Sequence, residues 1–422
     1  MSQRCVWRIR DIWQTSSDGS AGCSVQTDAT VAVFEPHSSG HRASYVKWIV
    51  EEVLRRGYRA VIITSSGALS HPVFVELQKC ERVAFIAVNL PAFVIRTRRT
   101  VVGLIASDLI YFRALQKQFT QVRRAVHLDA VVLPYMDYAF YSIAVLGSPF
   151  PRIPWCGITL RTPTPGLSRS EPLRFRFLRR ICSRPSLRAV FSIDPALPRF
   201  LEYSSGARMH GRLQYLADPV ERSRGGDRGG LRARLGIAAD ARVLLVLGTI
   251  DARKGLRELF DGLAAVGNDS CFLVLLAGAF SDDAYRTLSS ASYASLVTSG
   301  RVKFLDKVLD ETEMEDCLAA ADAAWLGYVG HRFMSGVFLQ AASRGLVVIA
   351  TTEGAIGQLA GVWPRAVLVN PATRAEVVEG LRRAETLIGV GDIGESVTEL
   401  LSNHSVAAFG AAVVDALAGA AA

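Results

Sequence analysis

The chain has 422 residues, enough for two domains of ordinary size, and half of them are hydrophobic, so sizeable cores can be buried. A formal net charge of +9 favours an acidic partner, whether nucleic acid, anionic membrane or phosphorylated substrate. The seven cysteines are scattered and odd in number, without a CxxC pair, which argues against a disulfide scaffold and for free thiols in a reducing compartment.

Lysine occurs only at Lys47, Lys79, Lys117, Lys254, Lys303 and Lys307, so the positive charge is nearly all arginine, in the Arg-, Ala-, Gly- and Val-rich usage of a high-GC bacterial genome. Residues 1–28 read as a leader, basic at the start but lacking the apolar core of a signal peptide. No uninterrupted apolar run reaches the ~18–20 residues that span a bilayer. The reading is a cytoplasmic protein, with a peripheral membrane contact left open.

Residues 30–34 (TVAVF) form a β-branched strand ending at Glu35-Pro36, followed by the polar turn HSSGHR. Residues 43–56 have helical periodicity, Gly57 ends that helix, and residues 60–64 (AVIIT) form the next strand. Near-continuous apolar strands separated by helices are the mark of a parallel sheet covered on both faces. A helix over 107–118 and a strand over 130–133 follow; the strand runs into PYMDY and places Asp137 just beyond its carboxyl end. Strands over 157–160 and 189–192 complete a first domain, residues 29–217.

Residues 218–230, with Pro219, four glycines and several arginines, read as a linker. The alternation then restarts: strands over 243–247, 271–277, 302–305, 323–326 and 346–350, and helices over 256–266, 285–299, 311–321 and 337–343. Residues 231–390 are the second domain, and residues 391–422 one or two closing helices. The fold class is α/β, two Rossmann-like doubly wound domains.

In an open parallel sheet, ligands bind beyond the carboxyl ends of the strands. Four loops of the second domain lie there: 248–255 (GTIDARKG), 304–310 (FLDKVLD), 327–336 and 353–357 (EGAIG). In the first, Thr249 offers a hydroxyl and Arg253 and Lys254 offer positive charge to a phosphate, although Lys254 also reads as an ordinary solvated loop lysine. In 333–350, FMSGVFLQAASRGLVVIA, a small-residue turn opens a short helix, and Gly336 permits close backbone approach to an anion at the helix start.

GTIDARKGLRELFDGL, FLVLLAGAF, VKFLDKVLDETEMEDCLAAADAAWLGY and SGVFLQAASRGLVVIATTEGAIGQL occur in that order. Together they resemble the donor-binding half of GT-B-fold glycosyltransferases of the glycogen-synthase and bacterial mannosyltransferase kind (glycosyl transferases group 1), over residues 242–359. The amino-terminal half is similar more loosely, through its first strand, the SSGHR turn and the helix after it. The resemblance implies an interdomain cleft, closing helices that cross back to the first domain, and a nucleotide diphosphate-sugar as substrate with no cofactor and no metal. Lys254 matches the family's diphosphate lysine; Thr249 stands where an arginine is usual, and Arg253 compensates. The N–H groups near Ser335, Gly336 and Val337 complete the phosphate cradle, and the backbone around Val308 reads the base. The family's two glutamates seven residues apart fall on Arg332 and Gln340: a degenerate E-x7-E motif, in which Gln340 can still bind a ribose hydroxyl but Arg332 cannot act as a carboxylate.

In the first domain, Gly40 and His41 lie where such enzymes approach the donor. His41 reads as a hydrogen-bond donor or base, or equally as a surface or capping histidine. Asp137 reads as a catalytic carboxylate or as a turn aspartate. Arginines from Arg161 to Arg188, interleaved with Leu173, Phe175, Phe177, Leu178 and Ile181, form either a surface for anionic membrane or a solvated basic face. The expected activity is hexosyl-type sugar transfer to a glycan, lipid-linked or small-molecule acceptor, as in polysaccharide biosynthesis. The alternatives are a degenerate nucleotide-sugar-binding or scaffolding subunit and a nucleotide-sugar 2-epimerase. No nucleic-acid motif accompanies the positive charge.

Overall fold

The computed structural model describes residues 29–38, 41–88, 101–161, 171–198, 201, 211–267 and 270–418. They form two compact units. The first comprises described residues within Met1–Ile193, Leu197–Leu216 and Ala407–Ala422. Its strands are β1 (Thr30–Phe34), β2 (Arg59–Ser65), β3 (Val83–Val88), β4 (Ala130–Leu133), β5 (Trp155–Thr159), β6 (Leu187–Ser192) and β7 (Leu213–Tyr215). They make one parallel sheet in the order β3-β2-β1-β4-β5-β6-β7. Its helices include α1 (Arg42–Arg55), α2 (Pro72–Leu77), α3 (Val101–Ala125), α4 (Phe140–Leu146) and α5 (Glu171–Cys182).

Every residue of β1 and β4 is buried, as continuous apolar runs require of strands covered on both faces. On one face Ala32, Phe34, Val131 and Leu133 pack with Tyr111, Phe112 and Leu115 of α3, Phe140 and Ile143 of α4, and Leu178 and Ile181 of α5.

The second unit holds Asp194–Ala196 and Ala217–Val406. Its strands are β8 (Arg242–Leu247), β9 (Phe272–Ala277), β10 (Val302–Leu305), β11 (Ala323–Leu326), β12 (Val347–Thr351) and β13 (Ala366–Val369), parallel and in the order β10-β9-β8-β11-β12-β13. Its helices are α6 (Arg228–Arg234), α7 (Leu256–Val266), α8 (Asp282–Leu288), α9 (Ala294–Thr298), α10 (Glu311–Ala320), α11 (Gly336–Ala342), α12 (Gly354–Ala360), α13 (Arg374–Leu387) and α14 (Gly394–Asn403). The last helix, α15 (Val406–Ala418), packs in the first unit, with Phe409 against Tyr45 at 4.9 Å between ring centroids. Gly410 makes that packing possible: a Cβ there would stand 3.0 Å from the Trp48 carbonyl oxygen of α1.

Several local expectations change. The stretch read as a linker ends inside α6, because the Asp227 carboxylate accepts the Gly230 N–H and nucleates a helix from a Gly-rich sequence. The EGAIG turn is the start of α12, and residues 285–299 fall in two short helices with a 3₁₀ turn between them. Gly394–Leu417 is apolar and long enough on composition to cross a membrane, but it is two helices parted at His404-Ser405 and packed in different units.

Candidate functional site

In each sheet the strand order reverses once: between β1 and β4 in the first, between β8 and β11 in the second. Such switch points open a crevice at the carboxyl ends of the strands. At the second, the loop after β8 is tied to the loop after β11. The Trp325 indole N–H donates to the Lys254 carbonyl at 2.8 Å, and the Val329 N–H to the Arg253 carbonyl at 2.9 Å. Gly255 adopts φ +65°, and a Cβ on it would lie 2.2 Å from the Gly327 carbonyl oxygen. Only glycine fits there.

This clamp turns Lys254 inward, to 4% exposure. Its ammonium donates to the Leu247 carbonyl at 2.7 Å and to the Tyr328 hydroxyl at 2.5 Å, and stands 4.4 Å from the centre of the Tyr328 ring. An ammonium has three N–H donors, so one remains. No carboxylate among the described residues forms an ion pair with it. The reading of a mobile, solvated lysine is thereby corrected: the charge is fixed and buried.

Arg253 is half-exposed, 3.5 Å from Asp251. His331 lies near both cations. Burial, then Arg253, hold its pKa down at about 4, with Lys254 acting in the same direction, so the ring is neutral at pH 7. The sequence reading overlooked His331 and Tyr328, although both lie in one of its four candidate loops.

The other expected donor contacts divide. Thr249 is exposed at the same strand end. Ser335, nearly buried, caps the seven-residue α11 through its backbone and makes no side-chain cap hydrogen bond. The N–H groups of Ser335, Gly336 and Val337 have no acceptor outside that helix among the described residues. The backbone carbonyl of Gln340, on α11, accepts from the Ser343 hydroxyl and the Arg344 guanidinium. Arg332 lies 3.6 Å from Glu353, so a carboxylate does stand beside that position, supplied by the next loop. Val308 is 84% exposed after the edge strand β10, two strands away from β8.

In the first unit, His41 is exposed at the start of α1, and Gly40 lies outside the described residues. Asp137 is not a free carboxylate. It accepts from the Arg174 guanidinium at 2.5 Å, the Thr159 hydroxyl at 2.8 Å and the Leu160 N–H at 2.8 Å. It therefore locks α5 to the end of β5. Arg174 in turn lies 4.0 Å over the Phe140 ring and donates to the Arg161 carbonyl, so it does not face outward. Leu178 and Ile181 are in the core and Phe175 and Phe177 pack against it, so these four do not form an outward apolar face; Arg176, Arg179 and Arg180 stay exposed.

The carboxylate that sequence reasoning passed over is Glu35, at the end of β1. It is 1% exposed, and burial raises its pKa to about 8 against the opposing pull of Arg42. Its position directly after an apolar strand was the available signal. Among the described residues, no group of three or more His, Cys, Asp or Glu is arranged to hold a metal ion.

The fold defines the class: two doubly wound units of the GT-B kind. Residues 241–386, most of the second unit, match the family model of Glycosyl transferases group 1, which supports sugar transfer in general. Among solved structures, the chain is similar to a glycosyltransferase from Rickettsia africae (TM-score 0.68, 12% identity, covering 93% of this chain and 98% of that one). It is also similar to the α,α-trehalose-phosphate synthase (UDP-forming) of Burkholderia vietnamiensis (TM-score 0.66, 14% identity, 93% and 98%). A third is Anabaena HepE in complex with UDP and glucose (TM-score 0.58, 15% identity, 93% and 98%). A search of the curated proteins found no match.

Proposed function

We propose that the protein transfers a sugar from a nucleotide diphosphate-sugar to an acceptor hydroxyl, without a metal or other cofactor. The observation that carries this reading is Lys254: a buried ammonium with one open N–H and no carboxylate partner among the described residues. Burying an unpaired charge is costly, and a diphosphate removes that cost. Arg253 supplies a second, mobile cation, and the N–H groups of Ser335, Gly336 and Val337 add neutral donors. Neutral His331 can donate to a phosphate oxygen, or take up a proton as the dianion collects beside it. Charge that develops on the leaving diphosphate then meets donors already fixed in place. UDP-sugars are the first donors to test, since the Anabaena protein is described with UDP and glucose.

The test is donor hydrolysis and transfer by the purified protein across UDP-, GDP- and ADP-sugars. Release of nucleoside diphosphate from one donor is the expected result; no binding of any nucleoside diphosphate overturns the reading. One observation favours a second reading, a nucleotide-sugar-binding subunit without turnover: Arg332 is engaged with Glu353, not a sugar-facing carboxylate itself. Tight donor binding without hydrolysis or transfer would select it. A peripheral contact at the inner face of the membrane would rest on exposed arginines such as Arg176, Arg179 and Arg180 and be electrostatic, about 1 kcal/mol per arginine and weaker at high salt.

A further inference from the structure

The loop over 327–335 carries Tyr328 and His331 and is held at both ends. The clamp fixes its near end, where the Val329 N–H donates to the Arg253 carbonyl at 2.9 Å. In its middle, the Ala355 N–H of α12 donates to the Arg332 carbonyl at 3.0 Å. Its far end runs into α11, a helix of seven residues with no side-chain cap at Ser335. So short a helix is held by what it packs against and by its ends, not by its own hydrogen bonds.

The carboxyl end of α11 is tied down by Arg344, whose side chain is 10% exposed. Its guanidinium donates to the Gln340 carbonyl at 2.7 Å, to the Ser343 hydroxyl at 3.4 Å and to the Glu315 carboxylate of α10. The second Glu315 oxygen accepts the Ser223 hydroxyl at 2.9 Å. Helix α10 is itself firmly placed. Its start carries a capping box formed by Asp310 and Glu313. The chain before α6 crosses it closely: a Cβ on Gly226 would lie 2.3 Å from the Glu315 carbonyl oxygen, and the Asp227 N–H donates to the Asp316 carboxylate at 2.8 Å. Glu315 is therefore a fixed point, and Arg344 is the arm from it to α11. The Arg344 Nε is buried without a hydrogen bond, so the guanidinium is aimed at Glu315 and Gln340 and gives up its third direction.

We propose that Glu315 is a positioning residue of the diphosphate site. Through Arg344 it sets where α11 begins, and so where Ser335–Val337 and the loop bearing Tyr328 and His331 stand relative to Lys254. This deepens the transferase reading and rests on it for what the site binds. A site built from a fixed cation and fixed N–H groups needs a supporting layer that holds both in register. Trp325 and Tyr328 do this for Lys254; Glu315 and Arg344 do it for the opposite end of the loop.

The test is calorimetric titration of the full chain with UDP and with uridine, beside hydrogen exchange and denaturant unfolding. Glu315→Gln keeps the shape and removes the charge. It should weaken UDP about threefold to tenfold, the loss of one phosphate contact, and leave uridine unchanged. Arg344→Lys keeps the charge but loses the planar fork, and should do the same. Since one residue acts through the other, the double variant should bind UDP no more weakly than either single one. Amides of α11 should exchange faster in Glu315→Gln, and those of residues 327–329 at the wild-type rate. Asp316→Asn is the structural control: it weakens the tie to Asp227 on the same helix, and should lose stability while UDP affinity holds. Equal UDP affinity in wild type and Glu315→Gln overturns the positioning role and leaves the transferase reading standing. Additive losses in the double variant overturn it too, as does an Asp316→Asn that weakens UDP as much as Glu315→Gln. A wild type that binds no UDP sinks the transferase reading, and the positioning role with it.

Discussion

At the reversal of the first sheet, β1 runs into a buried carboxyl, Glu35; at the reversal of the second, β8 leads to a buried ammonium, Lys254. The topology is the same, and the charge at its turning point differs. Neither group has an ion-pair partner among the described residues. Elsewhere each unit has a buried charge that is paired: Asp137 with Arg174 in the first, and Arg232 with Asp322 in the second, where the guanidinium also donates to the Ala320 carbonyl. Paired charges hold elements together, and the open ones stand where a parallel sheet admits a ligand. A fixed cation with a spare N–H suits an anion, whereas the carboxyl after β1 is held neutral by its burial up to a pKa of about 8. Each sheet reverses its strand order once, and the residue that follows the strand at each reversal differs in charge.

The contrast between paired and open charges breaks first at Asp137. Asp137→Ala strands Arg174 beside Phe140 and should cost about 3–5 kcal/mol in denaturant unfolding, as loss of one partner of a buried pair does. A loss under 1 kcal/mol would return Asp137 to the list of candidate catalytic groups. Next comes Gly255→Ala, which forces a Cβ against the Gly327 carbonyl and should cost about 2–4 kcal/mol while opening the clamp around Lys254. If Gly255→Ala is as stable as the wild type, the two loops are not held as described.

A smaller effect comes from His331. Its pKa is about 4 folded and about 6.5 unfolded, so between those values the unfolded chain binds more protons. The stability is therefore fully present above pH 6.5 and lost as the pH falls through 4. After allowance for partial exposure the effect is on the order of 1–2 kcal/mol, absent in His331→Asn. Bound diphosphate should raise the His331 pKa, visible as a shift of its ring titration by NMR; an unmoved titration would place the anion elsewhere. Smallest of all, Arg332→Ala breaks an exposed pair with Glu353 and should change stability by less than about 1 kcal/mol.

The sheets were legible because parallel strands announce themselves as short apolar runs: 30–34, 130–133, 302–305 and 323–326 lie where the sequence places them. Apart from β10, the edge strands were not. Val83–Val88, Leu213–Tyr215 and Ala366–Val369 are short or partly exposed, and their runs blend into neighbouring loops. The loops of the second site were legible through glycine and charge, but the direction of Lys254 was not, since it depends on Trp325 and Tyr328, more than seventy residues away. Asp137 misled for the same reason: its partner Arg174 lies 37 residues on, inside a stretch whose arginines looked solvated. Glu35 was passed over because a carboxylate at a strand end resembles any turn residue until its burial is known.

Lys254 is proposed as the fixed cation of a diphosphate site, and calorimetric titration of wild type and Lys254→Ala with UDP and with uridine tests that role. Loss of one charge-assisted contact, roughly 1.5–3 kcal/mol, should weaken UDP about tenfold to a hundredfold and leave uridine binding nearly unchanged. Equal UDP affinity in the two proteins, both correctly folded, would contradict the account.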